Sequence, residues 1–142
     1  SELYQIPYKN MVRNMFHMPD QTSFDMLYDN LKNQETISFW STSFLRGTTL
    51  DDAIVIVDEC QNLNFHELDS IITRVGQDSK IVFCGDVNQS DLVKTNERNG
   101  ILDFQRILQG MEEFSEIEFG VSDIVRSGLV KSYLISKMTL GL

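Results

Sequence analysis

Residues 53–62 read AIVIVDECQN, from Ala53 to Asn62. The apolar run Ala53 to Val57 leads straight into two adjacent acids, Asp58 and Glu59. A continuous β-branched run of this length predicts a strand covered on both faces in a parallel sheet. Carboxylates that a folded core rejects fit where such a strand ends, because ligands in open α/β sheets collect at the carboxyl ends of the strands. A second buried strand is predicted at Ile81 to Cys84, closed by Gly85 and Asp86, so another acid falls at the same rim.

The segments around these strands alternate with them. Pro7 suits the first turn of a helix running to about Phe16. Another helix follows from Thr22 or Ser23 as cap, with Phe24, Leu27, Tyr28 and Leu31 at helical spacing. ETISFW, with Ile37 and Trp40, reads as a short strand. Asn64 with Glu67 makes a capping box, Leu68, Ile71, Ile72 and Val75 form an apolar stripe, and Gly76 fits a helix C-cap. The pattern continues as a helix over Gly100 to Gln109, a strand at Ile117 to Phe119 and a helix from about Ser122 to Lys137. Strands alternating with helices predict an α/β fold, a three-layer sandwich with a mainly parallel sheet. No repeat or linker divides the chain, so residues 1–142 are expected to form a single domain.

Composition bounds the function. A chain of 142 residues buries roughly 68–70% of its unfolded surface, enough for a sizeable core. Hydrophobic residues at 42% and charged residues at 23% mark a folded globular class. No apolar stretch is long enough to span a bilayer, and SELYQIPYKN lacks the core of a signal peptide, so a cytoplasmic setting without a membrane is expected. Cys60 and Cys84 read as buried thiols, with no zinc-type spacing between them. A net charge of −9 opposes general attraction to phosphate backbones and argues against a stand-alone nucleic-acid module, although Lys94, Arg98 and Arg106 leave room for a local basic groove.

Two acidic strand ends on one rim suit a hard cation. Mg2+ fits best, because it takes oxygen ligands, keeps several waters and is commonly held by one or two carboxylates plus substrate phosphates. A metal-dependent nuclease or phosphatase using Asp58, Glu59 and Asp86 without ATP is one reading of the same acids. A non-catalytic interaction domain is another.

VDECQN, FCGDVNQSDL and SDIVRSGLV, taken in this order, resemble the PhoH-like ATPases, P-loop proteins related to superfamily 1 helicases. The resemblance runs from about Arg46 to Leu134. It implies a partial P-loop fold, with ATP and Mg2+ as cofactors. Asp58 would then be the Walker B aspartate that holds Mg2+, usually through water, and Glu59 the base that activates the attacking water. It also implies that Asp86 and Gln89 form the GDxxQ motif, that Arg126 stabilises transition-state charge, and that Arg46 and Gln61 belong to the nucleotide site. Thr48, Val93 and Ser127–Gly128 depart from the family's usual residues.

No Gly-Lys dipeptide occurs in the sequence, whereas a P-loop needs GxxxxGK[ST] to cradle phosphates. The resemblance therefore implies that this chain is the C-terminal part of the ATPase domain, with Walker A upstream of Ser1. In that case the Ile117 to Phe119 strand lacks its neighbour, and self-association or pairing with the N-terminal half of the same protein is expected. RNA or DNA is a further partner that the helicase relationship implies for the intact protein.

Overall fold

The computed structural model describes residues 2–44, 47–86 and 95–142. Its elements in chain order are α1 (Ile6–Phe16), α2 (Gln21–Asn33), β1 (Ile54–Val57), α3 (Phe65–Ile72), β2 (Lys80–Phe83), α4 (Thr95–Gln109) and α5 (Gly128–Leu140). Short 3-10 turns at Glu2–Gln5, Thr42–Phe44, Cys60–Asn62 and Val121–Asp123 link them.

β1 and β2 pair in parallel, with Ile54 opposite Lys80, Val55 opposite Ile81, Ile56 opposite Val82 and Val57 opposite Phe83. An isolated parallel bridge, Leu50 to Val75, lies before the ladder. The chain between the two strands carries α3, so this is the βαβ pattern that parallel pairing requires. The α/β class expected from the sequence is the one observed.

Side chains alternate across the strands. Val55, Val57, Ile81 and Phe83 face a core built with Cys60, Leu68, Ile71, Ile101 and Phe104. Phe83 meets Phe104 edge to face at 5.0 Å between ring centroids, a favoured aromatic arrangement. Helices α3 and α4 close this side, with Leu68 fully buried between them. The other face differs from the expectation that β1 is covered twice. There Ile54, Ile56 and Val82 are 74%, 66% and 47% exposed.

The capping box forms as the sequence predicts: Asn64 Oδ1 accepts from the Glu67 N–H at 2.9 Å, and Glu67 Oε2 accepts from the Asn64 N–H at 3.0 Å. Other boundaries move. Asp20, not Thr22 or Ser23, caps α2, because its carboxylate accepts from both the N–H and the hydroxyl of Ser23 at 2.8 Å. α3 ends at Ile72, with Thr73 rather than Gly76 as its C-cap. Gly76 serves close packing instead: its N–H bonds the Leu50 carbonyl at 2.8 Å, and a Cβ there would fall 1.8 Å from Asp51 Oδ1.

Two expected strands are not strands. Ile37 to Trp40 and Ile117 to Phe119 run as irregular backbone, and Ile117 and Phe119 are exposed at 79% and 80%. Neither segment has a strand beside it among the described residues, and an unpaired strand leaves its backbone groups without a ladder. The last helix starts at Gly128 rather than Ser122, because Asp123 Oδ2 accepts from the Gly120 N–H at 2.7 Å and closes a short turn ahead of it.

Leu68 tests where stability resides. Leu68→Ala should cost about 2–5 kcal/mol in denaturant unfolding, whereas Ile56→Ala on the open face should change stability far less; equal losses would contradict the one-sided core.

Candidate functional site

The parallel register delivers both strand ends to one rim. Asp58 follows β1 directly, and Asp86 lies just past β2. Backbone bonds carry the pairing beyond the strands: Cys84 N–H to the Val57 carbonyl at 2.8 Å, then Cys60 N–H to the Cys84 carbonyl at 2.9 Å. To make this second bond the chain turns sharply after Asp58. Glu59 takes the turn in left-handed backbone, φ 52° and ψ 40°, which costs a non-glycine residue roughly 1–2 kcal/mol.

Hydrogen bonds fix the acids. Asp58 Oδ1 accepts from the Glu59 N–H at 3.0 Å, and Oδ2 accepts from the Tyr8 hydroxyl at 2.6 Å. Tyr8 comes from α1, where its ring packs against Phe39 at 5.8 Å. The bond to the Asp58 carboxylate, with lesser contributions from burial and nearby charges, pushes the Tyr8 phenol up to about 12. Burial pushes the Cys60 thiol up as well; Cys60 is the buried thiol expected from the sequence, whereas Cys84 is only half-buried.

Among the described residues, Gln61 is the one site residue from the sequence that is buried, at 5% exposure. Its Nε2 donates to Glu59 Oε2 at 2.5 Å, and its Oε1 accepts from the Asp86 N–H at 3.2 Å. The structure thus brings Asp58, Glu59, Gln61 and Asp86 together. Gly85 makes this possible, since a Cβ there would stand 2.5 Å from Gln61 Oε1 and 2.7 Å from Cys60 Sγ.

Arg126 is exposed between the Val121–Asp123 turn and α5, and among the described residues no hydrogen bond or ion pair joins it to the acids. Arg46, Gln89, Val93 and Lys94 lie outside the described residues, as does the side chain of Arg98. Arg106 sits on α4 within 3.6 Å of Asp103, one turn away on an exposed face.

The donor set decides what cation fits. Among the described residues no group of three or more His, Cys, Asp or Glu is placed to hold a metal ion. Asp58 already accepts two hydrogen bonds, which leaves about two of its four lone-pair sites for a cation or its water. That matches Mg2+ held mainly through waters and ligand phosphates. Among the described residues it does not match a protein cage or a paired-metal site, which gathers more carboxylates.

Two residues of the site escaped the sequence reading. Tyr8 lies 50 positions before Asp58, with no local pattern to link them. Gly85 reads there only as a strand terminus, although glycine in a strand often marks the close approach of another part of the chain.

The PhoH-like protein family matches residues 3–136. A PhoH-like protein of Bacillus subtilis is 36% identical over 115 residues, which is 75% of this chain and 36% of that protein. A PhoH-like protein of Mycobacterium leprae is 34% identical over 115 residues, 75% of this chain and 33% of that protein. Protein PhoH of Escherichia coli K12 is 32% identical over 92 residues, 65% of this chain and 26% of that protein. The chain thus spans about a third of the length of the curated relatives it matches. No helix among the described residues is long and apolar enough to cross a membrane.

Tyr8 gives a spectroscopic test of the site. A phenol whose pKa rises on folding stabilises the fold fully below its ordinary value of 10.0 and loses that contribution as pH climbs through about 12. In an ultraviolet titration of the chain's four tyrosines, one should ionise near 12, and Asp58→Asn should bring that tyrosine back toward its ordinary range. An unchanged titration in the variant would show that the contact does not form in solution.

Proposed function

The chain belongs to the PhoH-like family, a family of P-loop ATPases, and from this premise we propose that it carries the Mg2+-binding and hydrolytic half of an ATPase domain. The observation that supports the reading most directly is the meeting of two acidic strand ends, Asp58–Glu59 and Asp86, on one rim. Residues 1–142 are then one C-terminal portion of that domain, and the phosphate cradle belongs to a segment outside it.

In this reading Asp58 would hold Mg2+ through water, and the ion would supply positive charge beside the phosphates of ATP. Glu59 takes a proton from the attacking water, Asp86 belongs to the nucleotide site, Gln89 senses the γ-phosphate, and Arg126 offsets charge in the transition state. Arg46 completes the nucleotide site. A loop that brings Arg126 toward the acids, or a neighbouring subunit that presents its own, is required, because Arg126 as placed has no tie to them.

The open sheet face of Ile54, Ile56 and Val82 supports a cover supplied by the N-terminal half or by self-association, since apolar surface of this kind is stabilised when removed from water. The helicase relationship makes RNA or DNA the candidate partner of the intact protein, with contacts outside this acidic chain's average surface. Cytoplasmic ATP is the substrate this reading requires. The acids do not favour the nuclease or phosphatase alternative, because the described residues lack the extra carboxylates of a two-metal site.

In the full-length protein, Glu59→Gln should leave Mg·ATP binding within a few-fold and lower turnover by about 10²–10⁴, measured by phosphate release and by calorimetry. Unchanged turnover would remove Glu59 from its role. Asp58→Ala should instead weaken the Mg2+ dependence of binding itself, and no effect there would remove Asp58 from the cation site.

A further inference from the structure

Between the two acidic strand ends lies a side chain that neither the cation nor the attacking water needs to touch. Gln61 is buried, while Asp58, Glu59 and Asp86 around it are exposed. Its carboxamide is engaged at both ends, donating to Glu59 Oε2 and accepting from the Asp86 N–H. These partners fix its orientation, since a flipped amide would set oxygen against carboxylate and N–H against N–H. Gly85 gives up its Cβ to the same oxygen.

The consequence for Glu59 is geometric. A glutamate on exposed left-handed backbone has many rotamers open to it, and a general base works only from a narrow range of positions. The bond from Gln61 Nε2 holds Oε2 and leaves Oε1 to accept a proton from water. The bond from the Asp86 N–H holds Gln61 in turn. Any movement of the backbone after β2 is therefore felt at Glu59 through one side chain.

We propose that Gln61 is a positioning residue that aims Glu59 and couples that aim to the second strand end at Asp86, so that both strand ends act as one unit. The proposal rests on the reading of Glu59 as the base of ATP hydrolysis. It makes Gln61 a support for the base and not a nucleotide contact.

Steady-state turnover of the full-length protein separates these roles. Gln61→Leu should lower kcat by about 10–100-fold, as removal of a supporting hydrogen bond typically does, with KM for ATP within about threefold. In the Glu59→Ala background the same substitution should have no further effect, because the group it aims is gone. A raised KM at unchanged kcat would overturn the proposal in favour of nucleotide contact. A full additional loss in the Glu59→Ala background would overturn it in favour of a purely structural role.

Should Gln61→Leu fail to fold, Gln61→Met keeps the length of the side chain without its polar atoms; it should reproduce the loss in kcat, and wild-type kcat in it would overturn the coupling. A second measurement needs no ATP. The side-chain amide protons of Gln61 should be protected from solvent exchange in nuclear magnetic resonance spectra and lose that protection on Glu59→Ala. Unprotected protons in the wild type would sink the bridge itself, whereas a protected amide in a protein that does not hydrolyse ATP would sink only the catalytic reading.

Discussion

The parallel register of β1 and β2 is the constraint on which the rest depends. Shifting one strand by one residue would turn Val55 and Val57 away from Leu68 and Phe104 and would carry Gln61 out of reach of the Asp86 N–H. The core and the rim are therefore specified by the same pairing. Beyond Val57 and Phe83 the backbone bonds of Cys60 and Cys84 extend it, and each contributes only about 0.5–1.5 kcal/mol net. Their importance lies in placement, since they bring two chain directions together at a point where the side chains turn from apolar to acidic.

The N-terminal helices obey a different logic. α1 and α2 share a small core in which Phe24 and Tyr28 are buried, bordered by the Lys9 ammonium 5.2 Å from the Tyr28 ring centre and 2.7 Å from Asp25. This cluster is separate from the sheet core and is tied to the site through the Tyr8 hydroxyl on Asp58. α5 at the other end has no buried residue. Its apolar residues go round the helix without forming a stripe, so it has no single face to lay against the sheet.

What was legible in the sequence had a local cause. The run Ala53 to Val57, the Asn64 to Glu67 box and the helical stripe through Leu68 and Ile71 each carry their signal within a few residues, and each forms. Ile37 to Trp40 and Ile117 to Phe119 carry a similar apolar signal without becoming strands, because a strand depends on a neighbour that the segment itself does not encode. Gly76 and Gly85 illustrate a subtler ambiguity. Both look like punctuation in the sequence, yet each is required by a side chain or backbone that arrives from another part of the chain. In the site, Asp58, Glu59 and Asp86 could be read from where their strands end. The contact with Tyr8 could not, as it joins residues 50 positions apart, and the bridging role of Gln61 depends on a burial that an exposed-looking polar pair, Gln61 and Asn62, does not announce.

The left-handed backbone at Glu59 has a consequence for how this segment responds to selection. Glycine or asparagine would occupy that conformation with less strain. A screen that rewards thermal stability alone would weigh that relief against the loss of the carboxylate to which buried Gln61 donates. On the proposed reading of Glu59 as the base, position 59 is a place where backbone preference and chemistry pull in opposite directions.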